Sequence, residues 1–67
     1  MTMYVIRDQR TSEHLDSGST REQVKRALRR LDIDLVEPLP RKGRALYIVQ
    51  PLYKEQLGTP SVVITVV

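Results

Sequence analysis

The chain has 67 residues, a formal net charge of +3 and no cysteine. This length leaves room for a single small domain over residues 1–67, which buries only about 60% of the surface that its unfolded chain exposes and is marginally stable alone. The lack of cysteine excludes disulfide bonds and thiolate metal sites, and the lack of a signal segment or an apolar run of roughly 20 residues predicts a cytoplasmic protein without membrane contact.

Residues 3–8 form a short apolar run rich in β formers, which predicts a first strand with Tyr4 and Ile6 on one face. The next ten residues, 9–18, are polar and end in turn-forming side chains. We expect a loop there, or the weak second arm of a hairpin.

Residues 19–32 are predicted to form an amphipathic helix. Ser19 with Glu22, or equally Thr20 with Gln23, has the spacing of a capping box, in which two otherwise unpaired backbone donors are satisfied. The apolar residues recur at i, i+3, i+4 and i+7, which is the pattern of one buried face. They are Val24, Ala27, Leu28 and Leu31.

The opposite side of this predicted helix is almost entirely cationic, and within the helix only Glu22 opposes the positive charge. The cations are Arg21, Lys25, Arg26, Arg29 and Arg30. Arginine predominates, and its planar guanidinium group suits both phosphates and carboxylates.

After the helix, residues 33–39 alternate in polarity and predict a short strand that stops near Glu37, because prolines follow it. Residues 40–43 then supply a hairpin turn. Residues 45–49 are apolar at every position, which predicts a strand covered on both faces.

Residues 52–60 are predicted to form a connector, and residues 62–67 are β-branched at every position. The second run predicts a buried strand. We favour an internal strand of the chain's own sheet, because so small a domain needs this apolar area for its core. The alternative is a docking strand that pairs with another chain, either a second copy, which gives a homodimer, or the sheet edge of a target.

The elements therefore come in the order βαβββ. We predict an α+β fold, a small two-layer sandwich in which one amphipathic helix packs on a three- to four-stranded sheet. If the first strand pairs in parallel with the strand at residues 33–39, the crossover between them should be right-handed.

A second basic group surrounds Gly43 in the predicted hairpin turn and consists of Arg41, Lys42 and Arg44. The helix up to Arg30 and this turn together carry seven net positive charges, so the rest of the chain sums to −4. Such a concentration is typical of surfaces that neutralise nucleic-acid phosphates. An acidic protein surface is an equal candidate for the partner. The alternative without any partner is a solvent-exposed face that only keeps the domain soluble.

The segment from Thr20 to Val49 resembles the recognition helix and two-stranded wing of winged-helix DNA-binding domains. The resemblance implies that the helix enters the major groove and that the wing tip contacts the backbone. It assigns Arg21, Lys25, Arg26 and Arg29 to the groove, and Arg41, Lys42 and Arg44 to the wing tip. That family has two supporting helices upstream, where this chain has a strand and a polar loop, so the sandwich remains the predicted fold.

Two tyrosines on predicted strands, Tyr4 and Tyr47, could stack on bases. We favour core tyrosines with their hydroxyl groups at the rim, because no complete aromatic signature is present.

The polar segment near His14 contains Ser12 and Asp16, but nothing in it predicts the buried acid and positioned nucleophile of a catalytic triad. We therefore expect a solvent-exposed histidine.

The acids after the helix could in principle bind a hard cation, but salt bridges to Arg29 or Arg30 are the favoured interpretation. These acids are Asp32, Asp34 and Glu37.

The sequence thus predicts a non-enzymatic binding module without a cofactor, which engages nucleic acid through the basic helix and the basic hairpin tip. The alternative is a small protein inhibitor or adaptor of the mobile-element type. It would dock on an acidic surface or on the nucleic-acid-binding site of a partner protein.

Overall fold

The computed structural model describes residues 2–49 and 61–67 and gives them four strands and one helix in the order ββαββ. The elements are β1 (Tyr4–Asp8), β2 (His14–Gly18), α1 (Arg21–Arg29), β3 (Ala45–Val49) and β4 (Ser61–Val66). One helix packs on a four-stranded antiparallel sheet, so the α+β sandwich predicted from the sequence is confirmed, whereas the predicted element order is not.

The sheet has the strand order β2-β1-β4-β3, and each neighbouring pair is antiparallel. Ile64 of β4 pairs with Ile6 of β1 on one side and with Leu46 of β3 on the other. The β-branched tail is therefore an internal strand, as favoured. Within the described residues the outer strands are β2 and β3, so a second copy that added a strand would meet one of these instead of β4.

The polar segment after β1 forms a hairpin with β2, which is the second of the two alternatives predicted for it. Asp8 closes the turn, because its Oδ1 accepts hydrogen bonds from the backbone N–H groups of Arg10 and Thr11 at 2.8 and 3.2 Å. Ser12 follows with a φ of 63°, and the β1–β2 register shifts between Ile6 and Arg7. Asx turns and bulges of this kind allow a strand to form from residues with little β propensity.

Residues 33–39 do not form the predicted strand. The segment has no regular secondary structure and runs back along α1, since the N–H group of Ile33 donates to the carbonyl oxygen of Leu28 at 3.0 Å and Arg21 Nη1 donates to that of Glu37 at 3.0 Å. The predicted alternation of buried side chains is present, because Ile33 and Leu35 are both buried in the core. However, β3 pairs with β4, so no parallel pair and no right-handed crossover exist in the described sheet.

The second capping alternative is the one that α1 adopts. Thr20 is the N-cap, and its Oγ1 accepts from the N–H group of Gln23 at 3.2 Å. Gln23 Oε1 accepts in return from the N–H and hydroxyl groups of Ser19 at 2.8 and 3.0 Å. The helix ends at Arg29, earlier than predicted, and Asp32 then takes a left-handed φ of 60°. A left-handed residue after the last turn commonly ends a helix.

The predicted apolar stripe of the helix forms the centre of the core. Val24, Ala27 and Leu28 are buried against Ile6 and Ile64 from the middle of the sheet. Leu31 packs at the rim of this cluster. Removal of these aliphatic side chains from water is the main favourable term that holds helix and sheet together.

The prediction that β3 is covered on both faces is wrong. Leu46 and Ile48 pack against the core, but Ala45 is exposed and Tyr47 is 60% exposed on the opposite face of the sheet. Tyr47 is therefore not a core tyrosine, whereas Tyr4 is half-buried beside the core, as favoured.

The predicted connector at residues 52–60 lies outside the described residues. Across residues 2–49 and 61–67, no helix is long and apolar enough to cross a membrane.

Candidate functional site

All eight cationic side chains that the sequence singled out are exposed to solvent. On α1 this follows from the helical period, because the buried stripe turns the remaining positions outward. The exposed set is Arg21, Lys25, Arg26, Arg29, Arg30, Arg41, Lys42 and Arg44. The site is therefore available to a partner as a charged surface rather than as an enclosed pocket.

The crest of α1 is a cluster of cations around one acid. Lys25, Arg26 and Arg29 surround Glu22 and line a shallow depression with it. Contacts at i+3 and i+4 let Glu22 offset Lys25 or Arg26 by only about 0.2 to 0.5 kcal/mol per pair. No hydrogen bond or ion pair joins these three cations to another described side chain, so the crest keeps net positive charge.

One flank of the helix faces the segment 33–37. Arg21 reaches that segment through its hydrogen bond to the carbonyl oxygen of Glu37. Asp34 and Glu37 are exposed in this segment.

The other flank faces β2 across a groove of about 160 Å³. Its lining consists of Asp16, Ser17, Gln23, Arg26, Ala27 and Arg30. Arg30 Nη1 lies 3.6 Å from Asp16 Oδ2, and the two side chains are 71% and 36% exposed. Such an exposed ion pair is worth only about 0.2 to 1 kcal/mol. It can therefore be exchanged for another anion at little cost.

Sequence reasoning missed Asp16 as the partner of Arg30 and favoured acids that follow the helix. The sequence predicted residues 9–18 only as a loop or a weak hairpin arm and did not place them beside α1. Nothing in the sequence around Asp16 indicates that this residue of a weak strand will face the helix.

The basic turn is present, but it is not a hairpin tip. The N–H group of Arg44 donates to the carbonyl oxygen of Arg41 at 2.9 Å, and Gly43 supplies the left-handed φ of 86°. Gly43 takes this conformation without the steric cost that a Cβ would add. The turn leads from the segment 33–40 into β3, because no strand precedes it.

Sheet register places the basic turn at the same end of the molecule as the start of α1. Ala45 pairs with Thr65, Thr65 with Val5, and Val5 with Ser17, which lies just before the helix. Three strand spacings separate the two ends of this row, or roughly 14 Å. The turn and the first turn of the helix can therefore contact one extended partner.

The other candidate residues form no site within the described part of the chain. His14 is exposed at the start of β2, as expected. No group of three or more acidic or histidine side chains among the described residues could hold a metal ion.

No family model, curated protein or solved structure matches this chain. The resemblance to winged-helix domains therefore rests on the basic helix and the basic turn. Residues 33–39, which would form the first strand of a wing, have no regular secondary structure and are not part of the sheet.

Proposed function

We propose that the protein is a non-enzymatic module that binds nucleic acid through α1 and the basic turn at residues 41–44. One observation carries the proposal: all eight cations of α1, of its C-cap residue Arg30 and of the basic turn are exposed, and among the described residues they form one ion pair. A solvated face that served only solubility would not require the rest of the chain to be acidic.

The mechanism is neutralisation of backbone phosphates. Each arginine or lysine that contacts a phosphate releases condensed counterions, which gives an affinity that depends on salt and little on base sequence. The nine residues of α1 extend over about 13 Å, and one strand of a duplex carries a phosphate roughly every 3.4 Å along the helix axis. The helix can thus span about four phosphates, and the turn adds contacts beyond them.

Charge reversal on the helix tests this proposal. The double variant Arg26→Glu/Arg30→Glu should abolish binding to a DNA duplex in a mobility-shift titration, because two attractive contacts become repulsive. Its melting curve should be close to that of the parent, since both side chains are exposed and lie away from the core.

A matched control changes the same number of charges outside the proposed site. Arg7 and Arg10 are exposed on and after β1, and Arg7→Glu/Arg10→Glu should weaken binding far less. The proposal fails if the helix variant binds the duplex as well as the parent does.

A second candidate function is that of an inhibitor or adaptor, which would use the same arginines against an acidic protein surface. Exposed large apolar side chains favour it, among them Met3, Tyr47 and Val67. Exposed apolar patches of this kind are typical of protein interaction sites. Capture of a partner that persists after nuclease treatment, and that is lost with Tyr47→Ser, would support this candidate over nucleic-acid binding.

A further inference from the structure

The cations of α1 are not equivalent, because the helix lies between two different neighbours. On the side of residues 33–37, Arg21 donates a hydrogen bond to the backbone carbonyl oxygen of Glu37. On the side of β2, the groove contains two arginines and one acid, Asp16. Two guanidinium groups and one carboxylate leave the groove along β2 with a net positive charge.

The groove along β2 contains several hydrogen-bond donors. Arg26 and Arg30 are four positions apart, so their side chains emerge about 5 to 6 Å apart on one helix face. Gln23 lines the same groove, and its Oε1 already accepts two hydrogen bonds from Ser19, which leaves its amide nitrogen as a donor. The hydroxyl group of Ser17 lies on the β2 side. One acidic group, Asp16, faces these donors.

Like charges at i and i+4 of a helix repel each other, and an anion placed between them removes this repulsion. Asp16 removes the repulsion between Arg26 and Arg30 only in part. Its Oδ1 accepts a hydrogen bond from the N–H group of Ser17 at 2.8 Å, while its Oδ2 stays 3.6 Å from Arg30. The carboxylate is thus tied to its own strand and makes a long contact with the helix.

We infer that this groove seats one backbone phosphate of the bound nucleic acid between Arg26 and Arg30, and that Asp16 is the competing anion of the protein itself. The inference rests on the function proposed above and adds the position of one contact. A phosphate is mobile enough to approach both guanidinium groups, whereas Asp16 is held at the strand. Binding therefore exchanges a weak internal ion pair for a two-arginine phosphate contact.

Removal of the competing charge tests the inference. A fluorescently labelled 12-base-pair DNA duplex is titrated with the parent chain, Asp16→Asn and Asp34→Asn, and anisotropy gives the dissociation constants. Both substitutions remove one negative charge, but only Asp16 lines the groove. We expect Asp16→Asn to tighten binding by about two- to fivefold, the range that an exposed ion pair can supply. Asp34→Asn should change it by less than about 1.5-fold, because Asp34 lies outside the groove.

A double-mutant cycle gives the decisive readout. In an Arg30→Gln background the gain from Asp16→Asn should disappear, because the pair that it releases no longer exists. Equal tightening by Asp16→Asn and Asp34→Asn would contradict the groove, since it would reflect net charge alone. So would a gain that persists without Arg30. A parent chain that does not bind the duplex at all overturns the proposed function and the groove with it, whereas the two preceding results overturn the groove only.

Discussion

Gly18 joins β2 to α1 and shows how closely these two elements approach each other. It is buried, and a Cβ built on it would lie 2.9 Å from the Cβ of Gln23 and 3.2 Å from the backbone nitrogen of Val24. Neither atom can give way easily, because both belong to the first turns of the helix. The glycine thus allows the close packing that forms the groove.

Gly18→Ala should therefore lower the free energy of unfolding by about 1 to 3 kcal/mol, the usual cost of overpacking. The measurement is chemical denaturation followed by circular dichroism. Gly43→Ala is a contrasting control, because a Cβ there meets no atom within 4 Å and only the left-handed φ of 86° is strained. If Gly18→Ala were as stable as the parent, the close approach of strand and helix would be wrong.

The exposure of most side chains in the candidate site could be predicted from the sequence position of each residue. Their exposure follows from the helical period, which places Arg26 and Arg29 opposite Val24 and Leu28. The pairing of Arg30 with Asp16 could not, because it depends on which strand lies beside the helix.

At the scale of elements, α1 was the most predictable because several signals agree there. The apolar stripe, the capping side chains and the absence of Gly or Pro between Thr20 and Arg30 all favour one helix. The strand β2 was difficult because HLDSG contains few β formers. Its pairing depends on the Asx turn at Asp8 and on β1.

The false strand at residues 33–39 has a general cause. Alternating burial requires only a chain that runs over an apolar surface, and Ile33 and Leu35 satisfy it without a ladder. In β3 the opposite error occurred, because a continuous apolar run was interpreted as a strand that is buried on both faces. Tyr47 belongs to the uncovered face.

The helix stripe predicts a clear stability effect. Leu28→Ala should lower the free energy of unfolding by about 2 to 5 kcal/mol, because it deletes a fully buried side chain in the centre of the core. For so small a domain this is comparable to the whole stability, so the variant should be largely unfolded at room temperature. Thermal melting followed by circular dichroism is the measurement.

Lys25→Ala serves as the control on the same helix, because its side chain is exposed and its replacement should change stability by no more than about 0.5 kcal/mol. An unaltered melting curve for Leu28→Ala would mean that the buried face of α1 is assigned incorrectly.

For the whole molecule, the two faces of the sheet have different roles. One face is covered by α1 and residues 33–35 and holds the core. The alternation of β1, β4 and β3 brings Val5, Thr65 and Tyr47 to the opposite face, where Tyr47 is 60% exposed but Val5 is buried, with 7% exposure. The cationic helix thus lies on one side of the sheet, and the exposed side chain of Tyr47 lies on the other.

The most direct test of the phosphate-binding account is the salt dependence of duplex binding by the parent chain. Association constants for a 12-base-pair DNA duplex are measured by anisotropy at a series of salt concentrations. About four to five phosphate contacts predict that the logarithm of the association constant falls linearly with that of the salt concentration, with a slope of about −4. A slope near zero, or no binding at low salt, would contradict the account.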